Sequence, residues 1–266
     1  MRKKIGLHIG LILASALILL PPLWALRTSF VPESMSYSTE LMPSFTLDNY
    51  RQLFERNHFL QFYGNSLIVA VCSVLLAMPF ATATGYAFAR FRTGGGTARF
   101  VVLATQMLPP VALVLPAFAL LRGAGLSNSL TGLIIVYAAL NLPFLTWILM
   151  GFFEGIPVDL EWAAMTDGTT AWGAFWRVVL PISLPGLAAA AVLGFILAWN
   201  EFLFALVLSG PGTATIPVAL AALQTSNGIQ IGKVSAGVVL AILPLIIGSI
   251  FIQRFIVKGL TFGSVK

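Results

Sequence analysis

The residues able to do chemistry are few and stand far apart. Asn200 and Glu201 sit together in "AWNEFLFAL", Ala198 to Leu206, inside an otherwise apolar run. A carboxylate there either lines or gates a route for a polar solute, or is a paired or wetted group that fixes helix packing. A central charge facing lipid costs about 2.5–3.5 kcal/mol on insertion scales, so in both roles Glu201 faces protein or water. His8 and His58 are remote from each other, and Cys72, inside an apolar run, reads as a small core hydrophobe. No Cys, His and carboxylate set has metal-ligand spacing. "GIQIGKV", Gly228 to Val234, is one spacer short of a phosphate loop and ends in Val where Ser or Thr is required. Gly94, Gly95 and Gly96 lack a following lysine and read as a turn. No enzyme motif is present, so any ATP this protein uses is bound by another chain. The densest set of polar and helix-breaking residues is "LEWAAMTDGTTAWGAFWRVVLP", Leu160 to Pro181.

Composition shows what must position these residues. The chain has 266 residues, 58% of them hydrophobic and 9% charged, against about 25% charged in soluble domains. Too little polar surface exists to coat a soluble globule, so the bilayer is the solvent. The net charge of +6 is spread singly between apolar runs rather than gathered into a patch, which argues against a nucleic-acid surface. A spanning helix needs about 20 apolar residues. Six are expected, at 5–26, 65–89, 100–121, 130–153, 184–209 and 234–257. The fold class is therefore all-α and polytopic, a single transmembrane domain over 1–266. The first run is too long for a signal-peptide core, and Pro21, Pro22 and Trp24 suit an interfacial helix end, so it reads as an uncleaved anchor. Pro79, Pro109, Pro110, Pro116, Pro143 and Pro244 each invite a kink. Gly6 and Gly10 make a small-xxx-small packing pattern.

Orientation follows the Lys and Arg flanking the spans. Ten (Arg2, Lys3, Lys4, Arg90, Arg92, Arg99, Arg177, Arg254, Lys258 and Lys266) fall on one side, and five (Arg27, Arg51, Arg56, Arg122 and Lys233) on the other. The first side is expected to be cytoplasmic, with both termini and the Leu160–Pro181 stretch. Two longer loops, 27–64 and 210–232, lie outside. In the first, Thr46 or Asp48 can cap a short helix at the membrane surface whose apolar face is Tyr50, Leu53 and Phe54. The second is expected to hold a short docked helix.

The segment 154–183 reads as two short helices around a corner. Pro157 suits a first helical turn, and Asp159 and Glu161 suit its positive end. Gly168 supplies a left-handed stop, and Thr169 or Thr170 caps the second helix. Trp172, Phe175, Trp176 and Val179 recur as one apolar stripe, and Pro181 ends it. Two readings stand: a rigid knob that plugs into a partner, and an amphipathic helix pair lying in the interface.

At these residues the sequence resembles a known family. "EWAAMTDGTTAWGAFWRVVLPISLPG" is similar to the EAA loop of importers of the ATP-binding-cassette class. Ala163, Ala164, Asp167, Gly168, Phe175, Arg177, Leu180, Pro181 and Pro185 fit that pattern. Counting back from Asp167, the motif's glutamate falls on Trp162, with Glu161 one residue earlier. "TLDNYRQLF", "NSLIVAVCSVLLAMPFATATGYAFARF", "AWNEFLFAL" and "QRFIVKGLTFGSVK" resemble maltose-type carbohydrate permease subunits, so the likeness runs over nearly the whole chain.

The resemblance implies a type I importer transmembrane fold in a bacterial inner membrane. It also implies the partners: a second permease subunit, ATPase subunits inside and a sugar-binding protein outside. ATP and magnesium would be held by the ATPases, with no cofactor on this chain. Glu161, Ala163, Ala164, Met165, Asp167 and Gly168 would couple to an ATPase. Asn200 and Glu201 would lie on the translocation path, and Thr213, Thr215, Gln224 and Asn227 would meet the binding protein. The tail from Gly259 to Lys266 would reach the ATPase interface. The solute stays open among disaccharide, polyol, glycerol phosphate and modified hexose. Three rivals remain: an importer of a non-sugar solute; a membrane enzyme, which needs a second intramembrane polar partner and has only Asn141 and Asn200; and a channel, which needs no cytoplasmic knob.

Overall fold

The computed structural model describes residues 2–40, 43–225 and 228–262. Its helices in chain order are α1 (Arg2–Ser29), α2 (Asp48–Arg56), α3 (Phe59–Phe91), α4 (Gly95–Gln106), α5 (Pro110–Gly123), α6 (Leu130–Glu154), α7 (Asp159–Thr166), α8 (Ala171–Ala174), α9 (Leu180–Trp199), α10 (Leu203–Leu208), α11 (Ile216–Ala221) and α12 (Ile231–Phe262). A π turn, Phe175–Val179, joins α8 to α9 without a break. Two-residue strands at Gln224–Thr225 and Gly228–Ile229 pair antiparallel.

Among the described residues, five helical stretches are long and apolar enough to cross a membrane, and the bent pair α4 and α5, counted as one span, makes six. Two of the six apolar runs are not single rods. The run at 100–121 is not one rod. Helices α4 and α5 meet at 90°, because Pro109 and Pro110 supply no N–H to continue the helical ladder. The run at 184–209 is also interrupted. The fifth span is Ala171–Trp199, followed by a break over 200–202 and then the short α10. Pro79, Pro116, Pro143 and Pro244 lie inside continuous helices.

The described residues pack as two compact units. One holds the described residues up to Tyr63 together with Ile216–Pro244, and the other holds Gly64–Thr215 together with the described residues from Leu245.

In the first unit, α1 continues through Pro21 and Pro22 to Ser29. Its apolar length is exposed, and an added Cβ at Gly6 or Gly10 meets nothing within 4 Å, so that glycine pattern packs against no described residue of this chain. The predicted helix α2 is present, and the Thr46 hydroxyl accepts from the Asp48 amide at 3.1 Å. Its buried residues are Asn49 and Leu53. Phe54, expected on the apolar face, is exposed. Leu53 joins Phe59, Ile216, Leu223 and Ala236 in one apolar cluster, so α2 and α11 both dock on protein. Asn49 ties the loop down by donating to the Ser29 and Val31 carbonyls at 3.0 and 2.8 Å.

In the second unit, the core runs along α3, α6 and α9 and includes Ala81, Leu145, Leu149, Phe153, Val179 and Ala190. Gly186, Ala190, Gly194 and Ala198 recur every four residues on α9, and all are buried. An added Cβ at Gly186 would stand 2.5 Å from the Phe152 ring. This is the small-residue seam that lets two spanning helices approach closely, on a different helix from the Gly6 and Gly10 pattern.

Candidate functional site

The Leu160–Pro181 stretch folds as a helix, a corner and a second helix. Helix α7 ends in a double cap. The Gly168 amide donates to the Met165 carbonyl at 3.0 Å and the Thr169 amide to the Ala164 carbonyl at 3.2 Å. That closure requires a left-handed residue at its centre, and Gly168 has φ +90°. The Thr170 hydroxyl then accepts from the Gly173 amide at 3.1 Å and starts α8. The glycine corner and the threonine cap thus stand where the sequence placed them.

Three features of this stretch differ from expectation. Pro181 does not end the second helix. It falls in the first turn of α9, where a missing N–H is tolerated, and the preceding π turn keeps the helix continuous. The aromatic stripe is split. Phe175 and Val179 are buried, whereas Trp172 and Trp176 are 68% and 51% exposed, although both tryptophan rings still pack on Phe175. Most consequential is Glu161, which was expected to favour the helix end by its charge. It is 7% exposed and faces inward.

Glu161 is held by residues that sequence reasoning missed. The Arg90 guanidinium pairs with one carboxylate oxygen, and the Tyr86 hydroxyl donates to the other at 2.6 Å. Arg90 also donates to the Ile156 carbonyl at 2.9 Å. Tyr86 in turn packs on Phe153 and Phe175, with ring centroids 5.6 and 4.6 Å apart. A buried pair pays for its desolvation only when its remaining polar groups are satisfied, and these contacts do that. The end of α3 is thereby pinned to α7. Leu160, Trp162 and Met165 are left exposed on α7 at 42%, 59% and 38%, beside exposed Ala163, Asp167 and Gly168, while Ala164 is half-buried. Arg90 shares "FARFR" with Arg92, and nothing in the spacing singled it out for the pairing.

The path candidates lie at the second helix break. Asn200 is exposed and donates to the Ile196 carbonyl of its own helix at 2.7 Å. Glu201, expected inside a span, occupies the gap between α9 and α10. Its carboxylate accepts from the Phe204 and Ala205 amides at 3.0 and 3.1 Å and from the Tyr137 hydroxyl at 2.7 Å. Among the described residues, these partners are backbone amides and a hydroxyl rather than a basic side chain. Glu201 and Tyr137 also line a cavity of about 220 Å³ with Asn141, Phe204, Thr105 and Gln106. Both helix breaks therefore open on one space.

In the outer loop, Asn65 clamps the chain by donating to the Gly212 and Ala214 carbonyls at 3.0 and 2.9 Å. The Thr213 hydroxyl accepts from the Gly210 amide at 2.9 Å. Thr215 is 3% exposed, so it presents no surface to a partner in this conformation. Gln224 stands in the first strand of the hairpin. Asn227 lies outside the described residues, as do Gly263–Lys266 of the tail. Among the described residues, no three His, Cys, Asp or Glu side chains cluster as a metal site would require.

Comparison with known proteins places this architecture. Residues 74–261 match the family described as binding-protein-dependent transport system inner membrane component. The chain is 38% identical to the trehalose transport system permease protein SugB of Mycobacterium tuberculosis, over 93% of this chain and 92% of that one. It is 34% identical to the trehalose/maltose transport system permease protein MalG of Thermococcus litoralis, over 99% and 97%. In three dimensions it is similar to a chain in the crystal structure of a bacterial ABC transporter involved in import of the acidic polysaccharide alginate. That likeness has a TM-score of 0.74, at 24% identity, over 95% of this chain and 96% of that one. Five to six apolar spans among the described residues and a family match over most of the chain lead to one assignment: this chain belongs to the inner-membrane components of binding-protein-dependent transport systems.

Proposed function

We propose that this chain is one permease subunit of an ATP-driven sugar importer, forming half of the translocation path and coupling to an ATPase through α7. One observation carries the reading. Helix α7 is clamped to α3 through Glu161 and Arg90 while Leu160, Trp162 and Met165 around it are left bare. Bare apolar side chains on a rigidly held helix fit a partner socket, and a pinned helix transmits a push to the span it is pinned to. Ala163, Ala164, Asp167 and Gly168 shape the corner that enters the socket. Glu161 acts from behind it, as the anchor. ATP and magnesium belong to the ATPase subunits, and a second permease subunit completes the path.

The orientation set by the basic residues puts α7 and both termini in the cytoplasm and the 210–232 loop outside, where an extracytoplasmic binding protein delivers the solute. Thr213, Gln224 and Asn227 are the residues there that we propose meet it; Thr215 would do so only after the loop moved. A sugar cargo is supported by the relatives whose names state trehalose and maltose.

Gentle affinity purification of the chain from its native membrane tests the assembly. A second permease and an ATPase bearing a phosphate loop are expected to come with it; recovery of the chain alone in several mild detergents would count against the proposal. The isolated chain is expected to hydrolyse no ATP. Steady hydrolysis by verified single-chain preparations would overturn the division of labour.

Glu201 supports a further expectation. Glu201→Ala strands two amides and a hydroxyl, each at a cost of about 1–3 kcal/mol if left unpaired, and lowers the yield of folded complex. Glu201→Gln keeps an acceptor, restores the yield and still slows uptake. Equal yield and uptake for Gln and wild type would reduce Glu201 to a local cap.

A further inference from the structure

The cavity between the two helix breaks has the chemistry of a solute subsite. Asn141, on its wall, is near the middle of α6, so the space sits at mid-depth. Irregular backbone is tolerated there only inside protein or along a watery cavity. Two such interruptions face each other across the space. Pro109 and Pro110 have no N–H, so the carbonyls four residues earlier, those of Thr105 and Gln106, receive no helical donor. Both residues line the cavity. Glu201 uses three of its roughly four acceptor sites on Phe204, Ala205 and Tyr137. The Gln106 side-chain amide donates to the Leu140 carbonyl at 3.1 Å, which leaves its carbonyl oxygen as another acceptor. Gln106 and Asn200 are exposed and Glu201 is half-exposed, and such groups at this depth face a polar space rather than lipid.

The wall is thus rich in hydrogen-bond acceptors, and its one acidic side chain is a carboxylate. Acceptors suit a solute that brings many O–H donors, and the carboxylate repels anions. We propose that this cavity binds one ring of an uncharged polyhydroxylated solute, so that this chain contacts the cargo directly rather than only transmitting motion. The inference rests on the sugar-importer reading and adds a binding site to it.

The test uses the complete transporter with its binding protein in proteoliposomes. Cys72 is the single cysteine, so a Cys72→Ser parent is thiol-free in this chain. Leu113 lines the cavity from α5 and Leu197 from α9. Leu113→Cys in that parent is expected to react with a small water-soluble methanethiosulfonate. Trehalose or maltose, whichever the parent transports, is expected to slow that reaction at least several-fold. Gln106→Leu is expected to raise the uptake KM by about three- to tenfold, the worth of one hydrogen bond, with ATPase stimulation retained. Leu197→Cys serves if Leu113→Cys fails to assemble.

Labelling unchanged by a sugar that the parent does transport would overturn the subsite and leave the importer reading standing. Protection by sodium or potassium ions alone would overturn it in favour of a cation site. A parent that takes up no neutral sugar while moving another solute would overturn the sugar reading itself, and the subsite with it.

Discussion

Glu161→Ala is expected to give a transporter that assembles poorly and, where assembled, hydrolyses ATP without matching uptake. Glu161 and Arg90 are 9% and 7% exposed as side chains, so removing the carboxylate leaves a buried guanidinium uncompensated. Breaking one side of a buried pair costs about 3–5 kcal/mol. Arg90 would keep its bond to the Ile156 carbonyl, but the Tyr86 hydroxyl would lose its acceptor. Replacing both charges by apolar side chains of similar volume is often close to neutral in stability. The double variant Glu161→Leu, Arg90→Met is therefore expected to recover most of the thermal stability of the purified complex. It is not expected to recover uptake per ATP, since the directional link between α3 and α7 is gone. Full recovery of coupling in the double variant would mean that the pair only fills space.

Gly168→Val is expected to produce the next largest loss. The residue sits at φ +90°, and a non-glycine left-handed residue costs about 1–2 kcal/mol, more when β-branched. Nothing lies within 4 Å of an added Cβ, so the effect comes from the backbone and not from a clash. Relief of the strain would move Thr169 out of its bond to Ala164 and re-aim α8 relative to α7. Uptake should fall far more than membrane expression. Gly168→Asn, which accepts left-handed backbone more readily, should retain more activity than Val. Equal uptake by wild type, Asn and Val, measured at matched expression, would remove the corner from the mechanism.

Much of this could be read from the sequence because the signals were local or long. Gly168 and Thr170 mark the corner through turn and cap chemistry, which act within a few residues. Apolar runs of spanning length report themselves without tertiary information. The misses have physical reasons. Pro109 and Pro110 announced an interruption in 100–121, but hydropathy is blind to backbone and the 90° size of the bend was not legible. The gap at Glu201 carries neither Pro nor Gly. It is stabilised by a side chain turning back on the Phe204 and Ala205 amides, a choice made in three dimensions. Arg90 and Glu161 are 71 residues apart, and single charges at that separation have no readable register. The four-residue spacing of Gly186, Ala190, Gly194 and Ala198 was present in the sequence and would have located the α6–α9 seam. The aromatic spacing brings Trp172, Phe175 and Trp176 into ring contact, but a periodic pattern does not tell that only Phe175 and Val179 are covered by the core.

The central claim is that the exposed side of α7 docks on an ATPase. A photo-crosslinking amino acid at Trp162, 59% exposed, tests it in the intact membrane. The expected product is a covalent adduct to a peptide of a phosphate-loop ATPase, with yield that changes when ATP is supplied. Adducts to lipid alone, with none to an ATPase, would make α7 and α8 an interfacial helix pair and contradict the account.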